Sequence, residues 1–130
     1  HVSLVFQDHN LIDYLTPEEN LRLVNPKADM KILEDLGLSR EESKRNIMHL
    51  SGGQRQRVAV GRALVAPGRA ILADEPTGSL DPEMTDEVID LLRHAAHQLG
   101  KCVIVVTHSK RVADSADAVY TLRHKKLAKA

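Results

Sequence analysis

The sequence predicts an α/β fold built on a mostly parallel sheet, with a small helical unit beside it. In the second half of the 130 residues, short apolar runs alternate with helical stretches, which is typical of strands joined by crossover helices. These runs are continuously apolar, as expected for parallel strands that are covered on both faces. The first half has one opening strand and is otherwise helical in pattern, which predicts the helical unit.

Helix caps and breakers define the elements of the first half. Thr16 is a suitable N-cap and Pro17 a suitable first helical residue, while Gly37 and Pro67-Gly68 end helical stretches. In chain order we predict a strand at 2–6, a helix from Thr16 to Asn25, a helix at 27–36, an ambiguous charged stretch at 39–49 and a helix at 54–66.

The long helix of the second half has the clearest pattern. Asp81 is its N-cap, Pro82 its first residue, and Gly100 follows its end. Around it we predict, in chain order, a strand at 70–73, the helix at 82–99, a strand at 101–107, a helix at 110–115 and a strand at 118–122.

Composition excludes several classes of protein. The 18 Lys and Arg balance the 18 Asp and Glu, which argues against a protein that binds nucleic acid through a clustered basic surface. Aromatic residues make up 2% of the chain, which argues against stacking platforms for bases. The single cysteine, Cys102, cannot form an internal disulfide and is expected to be a buried strand thiol.

Two adjacent acids end the predicted strand at 70–73. In doubly wound sheets, ligands bind beyond the carboxyl ends of strands, so Asp74 and Glu75 are placed toward a binding crevice. If the strand geometry continues, the two side chains point to opposite sides. One carboxylate can then hold Mg²⁺ while the other handles a water proton. The alternative is that both acids begin a solvated loop.

A glycine pair precedes the helix at 54–66. Gly52 and Gly53 let the backbone approach an anion, and the following helix aims free N–H groups at the same point. This arrangement is one that a phosphate cradle would use, although the motif alone slightly favours the alternative. The alternative uses the same atoms, because Ser51 and Gln54 match a capping box that only seals the helix start.

Polar residues also follow two other predicted strands. His108 comes after the strand at 101–107, and Gln7 comes after the opening strand. Either residue alone is more often an ordinary loop residue. Because the carboxyl ends of parallel strands share one rim, we expect both residues to lie near Asp74 and Glu75.

Taken in order, these motifs resemble the nucleotide-binding domain of ABC transporters. The resemblance rests on Gln7, on Leu50-Ser51-Gly52-Gly53-Gln54, on the run from Ile71 to Asp81, and on Thr107-His108. It extends over essentially the whole chain. The run from Ala73 to Asp81 is most similar to the branch for lipoprotein release, macrolide export and antimicrobial-peptide resistance. The fold implied is part of a P-loop NTPase sheet with a helical subdomain.

The resemblance implies catalytic and metal roles for four residues. Glu75 is expected to be the general base for ATP hydrolysis, and His108 the switch histidine on the γ-phosphate. Asp74 is expected to support Mg²⁺ as the Walker B aspartate. Gln7 is expected to contact Mg²⁺ and the attacking water, and to sense the transmembrane partner.

The resemblance also implies residues that bind across a dimer. Ser51, Gly52, Gly53 and Gln54 are expected to form the signature motif, which reaches ATP held by the opposite subunit. Ser79 and Asp81 are expected to lie in the D-loop at the same interface. About 9–66 is then the helical subdomain, whereas 1–8 and 67–130 are the catalytic-core part. The implied ligands are ATP and Mg²⁺.

The expected function is therefore that of an ATP-binding and ATP-hydrolysing subunit of a transporter. Its partners are expected to be a transmembrane permease and a second nucleotide-binding domain, without nucleic acid, at the cytoplasmic side of the membrane. Two alternatives are an ATPase of the same superfamily acting in DNA repair or translation, and a noncatalytic fragment or binding module.

One element of the family pattern is missing from the 130 residues. The phosphate loop GxxxxGK[ST] does not occur, since Gly100-Lys101 is followed by Cys102. The chain is therefore expected to be the C-terminal portion of such a domain and to be inactive alone. We also expect it to expose apolar sheet surface, because the helix that follows a phosphate loop is missing.

Overall fold

The chain forms a three-stranded parallel sheet in a computed structural model that describes residues 2–5 and 11–130. The strands are β1 (Val2–Val5), β2 (Ala70–Asp74) and β3 (Cys102–Val106), in the order β1-β2-β3. Long crossover segments connect them, as parallel pairing requires. The predicted α/β class with a parallel sheet is confirmed.

Six α-helices lie in the described residues, and three of them begin at caps that the sequence indicated, namely Thr16, Ser51 and Asp81. Thr16, Ser39, Ser51, Asp81 and Ser109 each accept a backbone N–H at a helix start. None of these helices is long and apolar enough to cross a membrane. The helices are α1 (Pro17–Val24), α2 (Lys31–Asp35), α3 (Arg40–Ser43), α4 (Gly52–Val65), α5 (Pro82–His97) and α6 (Lys110–Asp114), with a 3₁₀ turn at Ile47–His49.

Helix α2 is shorter than the predicted helix at 27–36, because local side-chain bonds compete with it. The Lys27 N–H donates to Asn25 Oδ1 at 3.0 Å, and the Lys31 N–H donates to Asp29 Oδ1 at 2.9 Å. Such Asx turns offer the backbone an alternative to the helix. The helix therefore begins only at Lys31.

Residues 120–129 form an antiparallel hairpin, in which the turn was expected at 123–126 and the second strand was not predicted. The predicted strand at 118–122 lies at β4 (Tyr120–Arg123), and it pairs with β5 (Lys126–Lys129). The turn residues His124 and Lys125 have φ values of 49° and 64°. Two-residue turns of this kind favour Asn-Gly, and neither residue is present here.

One face of the parallel sheet is buried and the other is exposed. Helix α4 packs on β1 and helix α5 on β3, and they cover a face that includes Val5, Ile71 and Ala73. The core continues into the helical unit, where Leu21, Leu33 and Leu36 are fully buried at 0% exposure. Packing of this face against α4 fixes the position of the sheet relative to that helix.

The opposite face corrects one expectation and agrees with another. Leu4, Leu72 and Ile104 are paired across the three strands and are 41%, 39% and 54% exposed. The prediction that the sheet is covered on both faces is therefore wrong for the described residues. The expected exposed apolar surface is present. Cys102 lies on this face and is exposed, not buried.

Candidate functional site

The ends of β2 and β3 bring the two expected catalytic loops together. Asp74 pairs with Val106 in the parallel register, and the Glu75 N–H donates to the Val106 carbonyl at 2.8 Å. Asp74-Glu75 and Thr107-His108 consequently leave the sheet side by side. Gln7, the third residue expected at this rim, lies outside the described residues.

Glu75 departs from strand geometry at this point. Its φ is 49°, in the left-handed region that non-glycine residues rarely adopt. The strand geometry therefore does not continue through Glu75, which was the condition for the two side chains to point to opposite sides. Such strained conformations persist where surrounding contacts hold them, and they cluster at functional sites.

Two hydrogen bonds hold the Glu75 carboxylate. Thr107 Oγ1 donates to Glu75 Oε2 at 3.1 Å, and the His108 N–H donates to Glu75 Oε1 at 2.8 Å. Thr107 Oγ1 also accepts the Ser109 N–H at 2.9 Å, which ties it to the start of α6. A carboxylate has about four lone-pair sites, so two remain for a water molecule.

Asp74 presents an exposed carboxylate beside this pair. It has no hydrogen-bond or ion-pair partner among the described residues. No group of three or more His, Cys, Asp or Glu is placed to hold a metal in the part of the chain described. Mg²⁺ commonly uses one or two carboxylates together with substrate phosphates, so Asp74 fits that mode of binding.

The start of α4 contains the capping box that the sequence predicted. The Gln54 N–H donates to Ser51 Oγ at 3.1 Å, and the Ser51 N–H donates to Gln54 Oε1 at 2.8 Å. The amides of Gly52 and Gly53 meet no protein acceptor within the described residues. Capping and anion binding are thus compatible here, because the box leaves two helix N–H groups available.

A carboxylate on α3 extends this box. Gln54 Nε2 donates to Glu42 Oε2, while Glu42 Oε1 accepts the Ser39 N–H at 2.8 Å. The pKa of Glu42 is lowered, chiefly by the Ser39 backbone N–H and against the opposing effect of burial. Ser39 Oγ, Arg45 and Gln54 lower this pKa further. Glu42 therefore joins the caps of α3 and α4.

The hydrogen bonds of Glu42 to Ser39 and Gln54 predict that the structure at the start of α4 depends on pH. Because the pKa of Glu42 lies below its ordinary value of 4.5, its ionised form stabilises the fold above that value. The contribution is lost as the pH falls through the lowered pKa. We expect the Gln54 side-chain amide resonances to shift in a ¹H–¹⁵N NMR titration, with a midpoint below 4.5. The variant Glu42→Gln should show no such titration, and an equal shift in that variant would contradict the assignment.

Helix α4 also touches the loop that follows Glu75. A Cβ added at Gly53 would lie 3.2 Å from the Ser79 carbonyl oxygen, so the helix start passes close to that loop. Gln56 Nε2 donates to the Pro76 carbonyl at 2.7 Å. Asp81 then caps α5 through the Met84 N–H at 2.8 Å. Sequence reasoning missed Gln56 and Glu42, because their partners lie 20 and 12 residues away along the chain.

The candidate residues thus form two clusters. One consists of Asp74, Glu75, Thr107 and His108, and the other of Ser51, Gly52, Gly53 and Gln54. Within the described residues, no hydrogen bond joins the two clusters directly. They are connected through the contacts of α4 with the 76–79 loop.

Comparisons with known proteins identify the family of the chain. The ABC transporter family model matches residues 1–78. The lipoprotein-releasing system ATP-binding protein LolD of Rickettsia prowazekii is 41% identical over 135 residues, covering 95% of this chain and 60% of its own length. The macrolide export ATP-binding/permease protein MacB of Brucella melitensis biotype 1 is 43% identical over 131 residues, covering 93% of this chain and 20% of its own length.

A solved structure shows the same fold. The dimeric post-hydrolysis state of the ATP-binding cassette MJ0796 bound to ADP and Pi superposes with a TM-score of 0.85 at 33% identity, covering 98% of this chain and 62% of that one. This chain therefore spans about three-fifths of the cassette and of LolD. From the family match and these relatives, the chain belongs to the ABC transporter family, in the ATP-binding branch of LolD and MacB.

Proposed function

We propose that this chain forms part of an ATP-hydrolysing subunit that powers an ABC transporter, with Glu75 as the general base. The observation that carries the proposal is the Glu75 carboxylate, held by Thr107 and by the His108 N–H where two parallel strands end. Ligands of α/β sheets bind at that edge. The relationship to LolD, MacB and MJ0796 supports ATP as the substrate.

The proposed reaction is hydrolysis of the γ-phosphate bond of ATP. Glu75 orients a water molecule through a free lone pair and takes up its proton as the water oxygen bonds to the γ-phosphorus. The bond from that phosphorus to the β-γ bridging oxygen breaks, leaving ADP and inorganic phosphate. The exposed imidazole of His108 is proposed to contact the γ-phosphate from the same loop.

The remaining site residues are proposed to bind ATP and Mg²⁺. Asp74 and Gln7 are proposed to hold Mg²⁺, which would neutralise phosphate charge when bound. Ser51, Gly52, Gly53 and Gln54 are proposed to bind the phosphates of ATP on a second cassette. Ser79 and Asp81 line the same interface in this proposal, which is supported by the dimeric MJ0796 structure.

The proposal assigns two structural parts and two partners. Residues 9–66 form the helical subdomain, while 1–8 and 67–130 form the catalytic-core part. A second cassette and a transmembrane permease are the partners, and the chain is peripheral to the cytoplasmic side of the membrane. The names of LolD and MacB, a lipoprotein-releasing and a macrolide-export protein, support a role in transport.

The 130 residues alone are expected to show no ATPase activity and only weak ATP affinity. The physical reason is that GxxxxGK[ST], whose backbone amides and lysine hold the β- and γ-phosphates, does not occur in them. ATP titration of the purified chain by calorimetry checks this expectation. Micromolar affinity would contradict it.

The matched comparison is a completed cassette. The completed cassette is a chimera. It consists of the 130 residues joined to the part of Rickettsia prowazekii LolD that lies outside the aligned segment. It is expected to bind ATP and to turn it over. Absence of turnover in a folded completed cassette that binds ATP would contradict the proposed function.

A further inference from the structure

We propose that Gln56 is a positioning residue for Glu75, a role that rests on the proposed function of Glu75 as the base. Gln56 lies in the first half of α4, with only 1% of its surface exposed. Its Nε2 donates to the Pro76 carbonyl at 2.7 Å. A buried amide needs a hydrogen-bond partner, so this contact is strongly favoured.

This hydrogen bond acts on ψ of Pro76, which is the one free backbone angle of that residue. The proline ring fixes φ at Pro76, and Pro76 has no N–H to donate. The direction of the chain beyond Pro76 therefore depends on ψ at Pro76. This angle sets where the Pro76 carbonyl points, and Gln56 holds that carbonyl.

The rest of the turn is held by backbone bonds. The Glu75 N–H donates to the Val106 carbonyl at 2.8 Å, and the Gly78 N–H donates to the Glu75 carbonyl at 3.2 Å. With the Pro76 carbonyl also held, Glu75 stays at φ 49°, from which its carboxylate reaches the His108 N–H. Gln56 supplies the side-chain support for this unusual conformation.

A second contact on the same helix face points to the same coupling. Gly53 and Gln56 are three residues apart, so they lie on one side of α4. Gly53 passes close to the Ser79 carbonyl, while Gln56 binds that of Pro76. The helix that begins with the glycine pair thus rests on the loop that follows the base. Gln56 connects these two clusters of the site.

The test uses variants that remove or replace the Gln56 donor, together with one control variant. Gln56→Met keeps the length of the side chain and removes the N–H. Gln56→Glu keeps the shape but places an oxygen against the Pro76 carbonyl until the new carboxyl is protonated. Asn25→Leu is the matched control, because Asn25 Nδ2 donates to the Val65 carbonyl at 2.9 Å at the other end of α4.

The first readout is amide hydrogen exchange of the ¹⁵N-labelled chain, without ATP. In Gln56→Met we expect the His108 amide to exchange faster, on the order of tenfold, relative to the Val60 amide within α4. Gln56→Glu should show the same loss at neutral pH and recover at acidic pH. Asn25→Leu should leave the ratio unchanged. An unchanged ratio in both Gln56 variants would overturn the proposal.

The second readout is steady-state kinetics of the completed cassette. We expect Gln56→Met to lower kcat while KM for ATP stays unchanged, and Asn25→Leu to leave both values unchanged. An equal fall of kcat in the two variants would overturn the positioning role. Absence of turnover in the unsubstituted cassette would contradict the proposed function instead, and the exchange ratio would still decide the role of Gln56.

Discussion

Replacing Glu75 by glutamine is expected to lower kcat of the completed cassette by about 10²- to 10⁴-fold, the usual contribution of a general base. The amide has nearly the same shape but cannot take up the proton of the attacking water. Its oxygen can still accept one hydrogen bond from the 107–108 loop, so the fold should be retained. ATP affinity should therefore remain close to that of the unsubstituted protein, as measured by calorimetry beside a phosphate-release assay.

Two further variants distinguish loss of the general base from loss of a negative charge elsewhere in the chain. Glu87→Gln removes an exposed carboxylate in the middle of α5 and should leave kcat and KM unchanged. Asp74→Asn removes the proposed Mg²⁺ carboxylate and should weaken the binding of Mg²⁺-ATP. Turnover at the unsubstituted rate in Glu75→Gln would show that another group serves as the base.

The glycine pair at the start of α4 gives the second large expected effect. A Cβ added at Gly52 has no atom within 4 Å, so Gly52→Ala fits the chain itself. Alanine also favours the helix over glycine, and the free energy of unfolding should not fall. Turnover of the completed cassette should nevertheless fall on the order of 10²-fold, because the methyl group displaces a phosphate that approaches the backbone.

Gly53→Ala is the matched contrast to this variant. Its Cβ would lie 3.2 Å from the Ser79 carbonyl oxygen, so the chain itself must shift. We expect Gly53→Ala to lower the free energy of unfolding, measured by urea denaturation, as well as turnover. If Gly52→Ala keeps both its stability and its turnover, the glycine does not face a ligand.

The convergence of the candidate catalytic residues could be predicted from sequence because it depends on topology. Apolar runs of strand length, separated by a capped helix, required β2 and β3 to be parallel. Parallel strands place their carboxyl ends at one edge, which brings Glu75 beside His108. The Ser51-Gln54 capping box was likewise local and readable from the spacing of its two residues.

The details that adjust this site could not be predicted, because they depend on packing between distant segments. The left-handed conformation of Glu75 occurs where its N–H bonds to Val106 of β3 and its carboxylate to the 107–108 loop, so the strand does not continue through Glu75. The bond between Gln56 and Pro76 spans 20 residues and has no local pattern. The second strand of the C-terminal hairpin was missed for a local reason, since His124 and Lys125 replace the usual turn residues.

We propose that the Glu75 cluster and the start of α4 form two halves of a site that is completed between two cassettes. Mixing the Glu75→Gln and Gly52→Ala completed cassettes tests it most directly. In a mixed dimer, the intact Glu75 cluster of one subunit faces the intact Gly52 of the other. The mixture should therefore hydrolyse ATP faster than the sum of the two variants measured separately. A mixture no faster than that sum would contradict the claim.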